Sequence, residues 1–261
     1  MRKVSLLVNP LAGKGKAVSI AKEILDLSTE LNIQIDLLTP RERNQVREVV
    51  LHSLDSGTDR IIALGGDGLV NQVANLLAGS ETALGIIPSG TGNDFARSLR
   101  LNSGELYEKL KIALSPALPI DLIKCGSHLV ATSVICGFPA YVNKRSNQLR
   151  FPKGSSSYTV ATLMELPKMR HTSYQLKLKD KTIEIKAAAI IVANACFFGG
   201  GMKICPDADL SDGLLDVCII GDVSKSDLMG SFLKIRTGDH LDHPKVSVFK
   251  TSQIEIIGEG I

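Results

Sequence analysis

The sequence predicts an α/β N-terminal domain built on a parallel sheet, residues 1–119, followed by a mainly β, sandwich-like C-terminal domain, residues 120–261. Three observations lead there. As far as Leu101, short apolar runs alternate with helical patterns, and alternation of that kind builds a parallel sheet with helices on both faces. Two of those runs end in glycine turns that open helices, Gly65-Gly66-Asp67-Gly68 and Gly90-Thr91-Gly92-Asn93. After Pro116 and Pro119 the period changes, and from Leu176 to Ile185 apolar and charged residues alternate.

Val4 to Val8 reads as a buried strand. Asn9-Pro10-Leu11-Ala12-Gly13-Lys14-Gly15-Lys16 is the connecting turn, after which Ile20, Ile24, Leu27 and Leu31 share one helix face. The turn lacks the Gly-Lys-Ser/Thr ending of a P-loop, so the Walker mechanism does not follow from it. Ile33 to Leu38 is a second strand. Thr39-Pro40-Arg41-Glu42 then has the form of a capping box with proline at the first helical position. Val46, Val49, Val50 and Leu54 continue at helical spacing.

The run from Arg60 to Leu64 stops at Gly65-Gly66, and Val70, Val73, Ala74 and Leu77 resume helical spacing at once. Leu84-Gly85-Ile86-Ile87 repeats the design, leading through Pro88-Ser89-Gly90-Thr91-Gly92-Asn93-Asp94 into a helical Phe95 to Leu99. Such turns bare backbone N–H groups at a helix N-terminus, which suits a phosphate. Two of them at successive strand ends would lie side by side along the carboxyl edge, where open α/β sheets bind ligands. Asp67 would sit in the first turn, where a carboxylate can meet a metal ion, a ribose or a reacting hydroxyl. Asp94 either lies near the same crevice or balances the dipole of its own helix. Gly104 to Leu114 reads as one more helix.

In the second half, Leu176 to Ile185 reads as a hairpin turning at Lys179-Asp180-Lys181, with one solvated face. Ala187 to Ala193 reads as a strand buried on both sides. Leu214 to Ile220, Val246 to Phe249 and Ile254 to Ile257 are further strands. Ser155 to Leu166 and Ser224 to Ile235 are helices, the second opening on the capping pattern Ser224-Lys225-Ser226-Asp227. Pro206-Asp207-Ala208-Asp209-Leu210-Ser211-Asp212-Gly213-Leu214-Leu215-Asp216 is oxygen-rich enough for a hard cation, or is an acidic turn without one. It is not an EF-hand loop. His240 and His243 are too isolated to suggest a metal.

The totals set limits. A net charge of +3 does not argue for nucleic acid as a partner. The five cysteines carry no Cys-x-x-Cys spacing and read as reduced, largely buried thiols of a cytoplasmic protein. No run approaches the ~20 apolar residues of a membrane span, so membrane contact would be peripheral. Lys144, Arg145, Arg150, Lys153, Lys168 and Arg170 fall within 27 residues that hold one acidic residue, Glu165. With Leu149, Phe151 and Tyr158 among them they form either a surface for an anionic leaflet or a solvated basic face.

Gly65-Gly66-Asp67-Gly68 together with Gly90-Thr91-Gly92-Asn93-Asp94-Phe95-Ala96-Arg97 is similar to the catalytic domain of the diacylglycerol kinase-like lipid kinases, and more narrowly to the soluble bacterial members. Val8-Asn9-Pro10-Leu11-Ala12-Gly13-Lys14-Gly15 resembles that family's first motif. Asn194 to Gly201 with Pro206 to Asp216 resembles its downstream pattern, so the likeness runs over essentially the whole chain. It implies an ATP-dependent kinase with Mg²⁺ that phosphorylates a hydroxyl of diacylglycerol or a related lipid, meeting its substrate at the inner face of the membrane. The nucleotide contacts it implies are Asn9, Pro10, Gly13, Thr39, Gly65, Gly66, Asp67, Gly68, Asn71, Gly90, Thr91 and Asn93, with Asp67 and Asp94 near the transferring phosphate. It also implies a structural Mg²⁺ held by Asp209, Asp212 and the carbonyl of Leu214. Whether the protein is a homo-oligomer stays open.

The pattern is broken in places. Leu69 stands where the family has threonine and Gln72 where it has glutamate. The family's Asp-Gly-Glu, the source of its proton acceptor, is missing. The chain ends at Gly258-Glu259-Gly260-Ile261, about where the strand leading to that motif would begin, which reads as a truncated chain or as a protein without that base. An NAD kinase shares the Gly-Gly-Asp-Gly turn and the two-domain plan. A nucleotide- or lipid-binding protein without catalysis is the third reading. The absence of a Gly-x-Gly-x-x-Gly at the opening of the first helix argues against a plain Rossmann dehydrogenase.

Overall fold

The computed structural model describes residues 3–9, 16–40, 42, 44–149, 151 and 155–258. The chain divides into two compact units, Met1–Pro119 and Ile120–Ile261.

In the first unit, strands β1 (Val4–Val8), β2 (Ile35–Leu38), β3 (Arg60–Gly65) and β4 (Ala83–Pro88) form a parallel sheet in the order β2-β1-β3-β4. Helices α1 (Lys16–Glu30), α2 (Gln45–Asp55), α3 (Asp67–Leu77), α4 (Asp94–Ser98) and α5 (Leu106–Leu114) complete it. Every residue of β1 and β3 is buried, as a continuous apolar run covered on both faces requires. Val4, Leu6, Ile62 and Leu64 pack with Ala17, Ala21 and Ile24 of α1 and with Leu110 and Ala113 of α5. Ser5 faces the other way, its hydroxyl 2.9 Å from that of Ser53 on α2, and α2 in turn packs against α3. Helices therefore cover both faces, as the alternation predicts. Buried Arg60 closes the end of α5, donating hydrogen bonds to the carbonyls of Ala113 (2.6 Å) and Ser115 (2.7 Å) and setting positive charge at the helix's negative end.

The capping box expected at Thr39 is not formed. α2 begins only at Gln45, after Asn44, whose side chain makes no capping hydrogen bond. Thr39 is exposed and Pro40 buried. The Glu42 N–H, which the box would give to Thr39, donates instead to the Gln45 side chain at 3.3 Å.

In the second unit, β5 (Ile123–Cys125) and β6 (His128–Val130) pair as a small hairpin. β7 (Ser133–Gly137) then leads into α6 (Phe138–Gln148) and α7 (Ser155–Glu165). β8 (Thr172–Lys177) and β9 (Thr182–Ala187) form the expected hairpin, followed by β10 (Ala189–Ala193) and the two-residue pair β11 (Phe197–Phe198) and β12 (Met202–Lys203). β13 (Leu215–Ile220), α8 (Lys225–Lys234), β14 (Val246–Thr251) and β15 (Glu255–Gly258) follow.

Two sheets result, β14-β13-β10-β7 and β15-β8-β9. Cys136, Ile190, Val192, Val217 and Ile219 of the first meet Tyr174, Leu176 and Ala187 of the second in one apolar core, a sandwich as the sequence predicts. The first sheet's opposite face, with Ile191, Cys218 and Ile220, packs against Val142 of α6, Ala161 of α7 and Leu228 of α8. Ala187 to Ala193 is not one strand, because the chain changes sheets at Ala188. The Ala188 N–H donates to the Ile220 carbonyl (2.8 Å), while its own carbonyl accepts the Phe138 N–H (2.9 Å). That carbonyl would lie 2.5 Å from a Cβ on Gly137, whose φ is +80°, so no other residue fits there. α8 does open on the Ser224–Asp227 capping box.

Candidate active site

The four strands of the parallel sheet run the same way, so Asn9, Thr39, Gly66 and Ser89 all emerge at its carboxyl edge. The strand order reverses between β1 and β3, the switch point at which such sheets take ligands. The ladder runs one step further there. The Asn9 N–H donates to the Leu64 carbonyl (3.2 Å) and the Ser89 N–H to the Gly65 carbonyl (3.0 Å).

The two glycine turns lie side by side. A Cβ on Gly90 would stand 2.6 Å from the Gly66 Cα and 2.8 Å from Asn93 Oδ1, and one on Gly66 would stand 3.2 Å from the Gly90 Cα. Backbone lies on backbone, which demands glycine at Gly90 and leaves little room for a side chain at Gly66. Asn93, with φ +54°, locks the second turn: its Oδ1 accepts the Gly90 N–H (3.0 Å) and its Nδ2 donates to the Gly90 carbonyl (2.8 Å). Asp67 ties the turns together, its Oδ1 accepting the Phe95 N–H at 3.1 Å.

Of the residues singled out from the sequence, Asn9, Thr39, Gly65, Gly66, Asp67, Gly68, Gly90, Thr91 and Asn93 lie on this edge or in the two turns. Gly68 and Thr91 are exposed and Asp94 is buried. Asp67 and Asp94 occupy the first turns of α3 and α4, where the helix dipole favours negative charge. Asn71 is half-buried on α3, where its carbonyl accepts from the Asn75 side chain (2.8 Å). Pro10 and Gly13 lie outside the described residues. Leu69 is turned inward, 7% exposed, and a Cβ on Gly65 would meet its Cδ2 at 2.6 Å. The family's threonine position is thus given to packing.

The acidic loop of the second unit is pinned at several points. Asp209 Oδ1 accepts the Ser211 N–H (2.9 Å) and hydroxyl (2.8 Å). Asp212 Oδ1 accepts the Leu214 N–H (2.9 Å), and its Oδ2 lies 2.6 Å from Lys250 Nζ. Sequence reasoning missed two of its partners. Asp121 Oδ2 accepts the Gly213 N–H (2.7 Å), and Asn194 Nδ2 donates to the Asp121 carbonyl (2.7 Å). The hydrogen bond from Lys250 holds the Asp212 carboxyl below its ordinary range, and burial pushes that of Asp216 above it. Among the described residues no three His, Cys, Asp or Glu side chains gather as a metal would need.

In the basic stretch, Arg145 and Lys168 both pair with Glu165, at 2.7 Å and 3.4 Å. Tyr158, expected at an interface, is buried edge-on against Phe198. Phe151 is 86% exposed, and Tyr141, Leu163 and Met164 are exposed on α6 and α7. Arg150 and Lys153 lie outside the described residues. Among the described residues no helix is long and apolar enough to cross a membrane.

A parallel α/β unit with paired glycine turns, joined to a β sandwich, has clear relatives. Residues 3–125 match the diacylglycerol kinase catalytic domain, and residues 132–261 match the YegS C-terminal NAD kinase beta sandwich-like domain. A diacylglycerol kinase of Mycobacterium tuberculosis (strain H37Rv) is 32% identical over 267 residues, 99% of this chain and 86% of that protein. A probable lipid kinase, YegS-like, of Klebsiella pneumoniae is 31% identical over 82% of this chain and 73% of its own length. The crystal structure of a diacylglycerol kinase from Bacillus anthracis shares the fold, with a TM-score of 0.74 at 22% identity over 99% of this chain and 86% of that one. The class is that of the lipid kinases, phosphotransferases. Within it, the chain belongs to the diacylglycerol kinase family.

Proposed function

We propose that the chain transfers the γ-phosphoryl group of ATP, with Mg²⁺, to a hydroxyl of diacylglycerol or a closely related lipid at a membrane surface. The observation that carries this reading is the apposition of Gly66 and Gly90 at the carboxyl edge, with Asp67 bonded across to Phe95. Phosphoryl transfer is largely positioning and charge stabilisation. The N–H groups of the two glycine turns and the N-terminus of α3 supply donors for the phosphates. Asn9, Thr39, Asn71 and Thr91 supply neutral polar groups beside them. Mg²⁺ would neutralise charge between the phosphates.

Asp67 would orient the acceptor hydroxyl beside the phosphates and offer its second oxygen to Mg²⁺. One of its oxygens is spent on Phe95, so the carboxylate arrives in a fixed attitude, which costs less at the moment of reaction than a mobile one. Asp94 adds a second carboxyl at the start of α4. Exposed Tyr141, Phe151, Leu163 and Met164, with exposed Lys144 and Arg170 in the same stretch of sequence, suit the second unit to an anionic leaflet.

The test is incubation with γ-labelled ATP, Mg²⁺ and mixed micelles that carry diacylglycerol, ceramide or sphingosine, with NAD in a parallel reaction. Label in diacylglycerol supports the reading. Label only in NAD, or in no acceptor while ATP still binds, overturns it.

A further inference from the structure

The loop 207–216 is where the resemblance implies a structural Mg²⁺, and both carboxylates it implies as ligands already carry hydrogen bonds. One oxygen of Asp209 is engaged within its own turn, accepting both the N–H and the hydroxyl of Ser211. Asp212 is shared between the Leu214 N–H and Lys250. The Leu214 N–H is the donor to Asp212, and its carbonyl is the one implied ligand that is not a side chain.

We propose that the ammonium of Lys250 is the resident cation of this loop, and that the loop takes no divalent metal. Three oxygens surround Nζ: Asp212 Oδ2 at 2.6 Å, Asp216 Oδ2 at 3.4 Å and the Asp207 carbonyl at 3.4 Å. The ammonium donates hydrogen bonds to two of them, and the third, Asp216 Oδ2, is an ion-pair partner.

The position is fixed by the sheet. Lys250 on β14 is the direct cross-strand partner of Asp216 on β13, and side chains directly opposite on neighbouring strands interact. The Asp216 side chain is only 3% exposed, with an Oδ2 that has no hydrogen bond of its own. Such a carboxylate needs a counter-charge close by, and Lys250 supplies it from the register.

A magnesium or calcium ion would need six or more oxygens at roughly 2.0–2.6 Å. It would draw on Asp212, the carboxylate that already holds the ammonium, and would stand within a few ångströms of a positive charge. The two cations compete for the same oxygens, and the covalently attached one is always present. The loop then stays fastened to β14, and through the Gly213 N–H to Asp121, whatever the divalent concentration. On the kinase reading above, the Mg²⁺ requirement of the enzyme belongs to the nucleotide alone.

The experiment is thermal unfolding of the full chain without nucleotide or lipid, in EDTA and again in millimolar Mg²⁺ or Ca²⁺. The expected wild-type Tm is the same within about 1 °C in all three, since a ligand that does not bind does not shift the equilibrium. Lys250→Met is expected to lower Tm by roughly 5 °C or more, because it strands a buried carboxylate, and Lys250→Arg to keep most of it. A wild-type Tm that falls several degrees in EDTA and returns with Mg²⁺ overturns the proposal. So does a Lys250→Met Tm equal to the wild type's. The wild-type arm needs no variant to fold, and neither arm depends on phosphate transfer.

Discussion

Asp67 and Phe95 stand 28 residues apart in sequence and are joined by a 3.1 Å hydrogen bond from the Phe95 N–H to Asp67 Oδ1. Phe95 is 1% exposed at the start of α4, and Asp67 opens α3. The bond makes one body of two helix N-termini that the sequence presents as separate turns. The carboxylate is thereby held at the point where both dipoles are positive.

Gly90→Ala is expected to disrupt this body. Its Cβ would stand 2.6 Å from the Gly66 Cα, and backbone cannot yield as a flexible side chain can. The expected cost is roughly 2–4 kcal/mol, with loss of nucleotide binding. Gly68→Ala is the control, because nothing lies within 4 Å of its Cβ. It should leave stability unchanged or raise it by up to about 1 kcal/mol. Urea titration of the two variants gives the comparison.

Arg60→Met is expected to lower the stability of the first unit by about 2–3 kcal/mol, since two carbonyls at the end of α5 lose a charged donor. The midpoint of the urea transition should fall with an unchanged slope.

The Glu165 carboxyl is held below its ordinary value, first by its hydrogen bond from Arg145, with Lys168 adding to the effect. A lowered folded-state pKa means that the unfolded chain binds the proton more readily. The contribution is therefore complete above the unfolded value and is lost as pH falls through the folded one. Arg145→Met should lower Tm at neutral pH, and the gap to wild type should close as the buffer is taken into the acid range below the ordinary glutamate pKa of 4.5. Scanning fluorimetry with an added dye along a pH series measures that gap. A gap that widens in acid would contradict the assignment.

The parallel sheet and its glycine turns were legible because each is a local signal, an apolar run closed by residues that only a tight turn needs. Their apposition was legible as well, since successive strands of an alternating α/β pattern share an edge. The Thr39 capping box failed because the Glu42 N–H is taken by the Gln45 side chain and the helix starts only at Gln45, a local rival that a four-residue pattern does not show. The sheet change at Ala188 was invisible because an apolar run does not say which of two sheets it serves. Tyr158 lay among basic residues in sequence but faces the core in space. The hydrogen bonds of the Asn93 amide to Gly90 within its own turn were not visible in the sequence. The Lys250 pairing with Asp216 depends on strand register, which single-sequence periodicity does not fix.

The central claim is that the Asp67 edge transfers phosphate to a lipid. The direct measurement is the rate of label transfer from γ-labelled ATP to diacylglycerol in mixed micelles by wild type and by Asp67→Asn. Asparagine keeps an oxygen for the Phe95 N–H and removes only the charge, so ATP binding and a Tm within about 2 °C should survive. Transfer should fall by at least about 100-fold. Transfer at the wild-type rate by Asp67→Asn would contradict the account of the site, and no transfer to any lipid by the wild type would contradict the function.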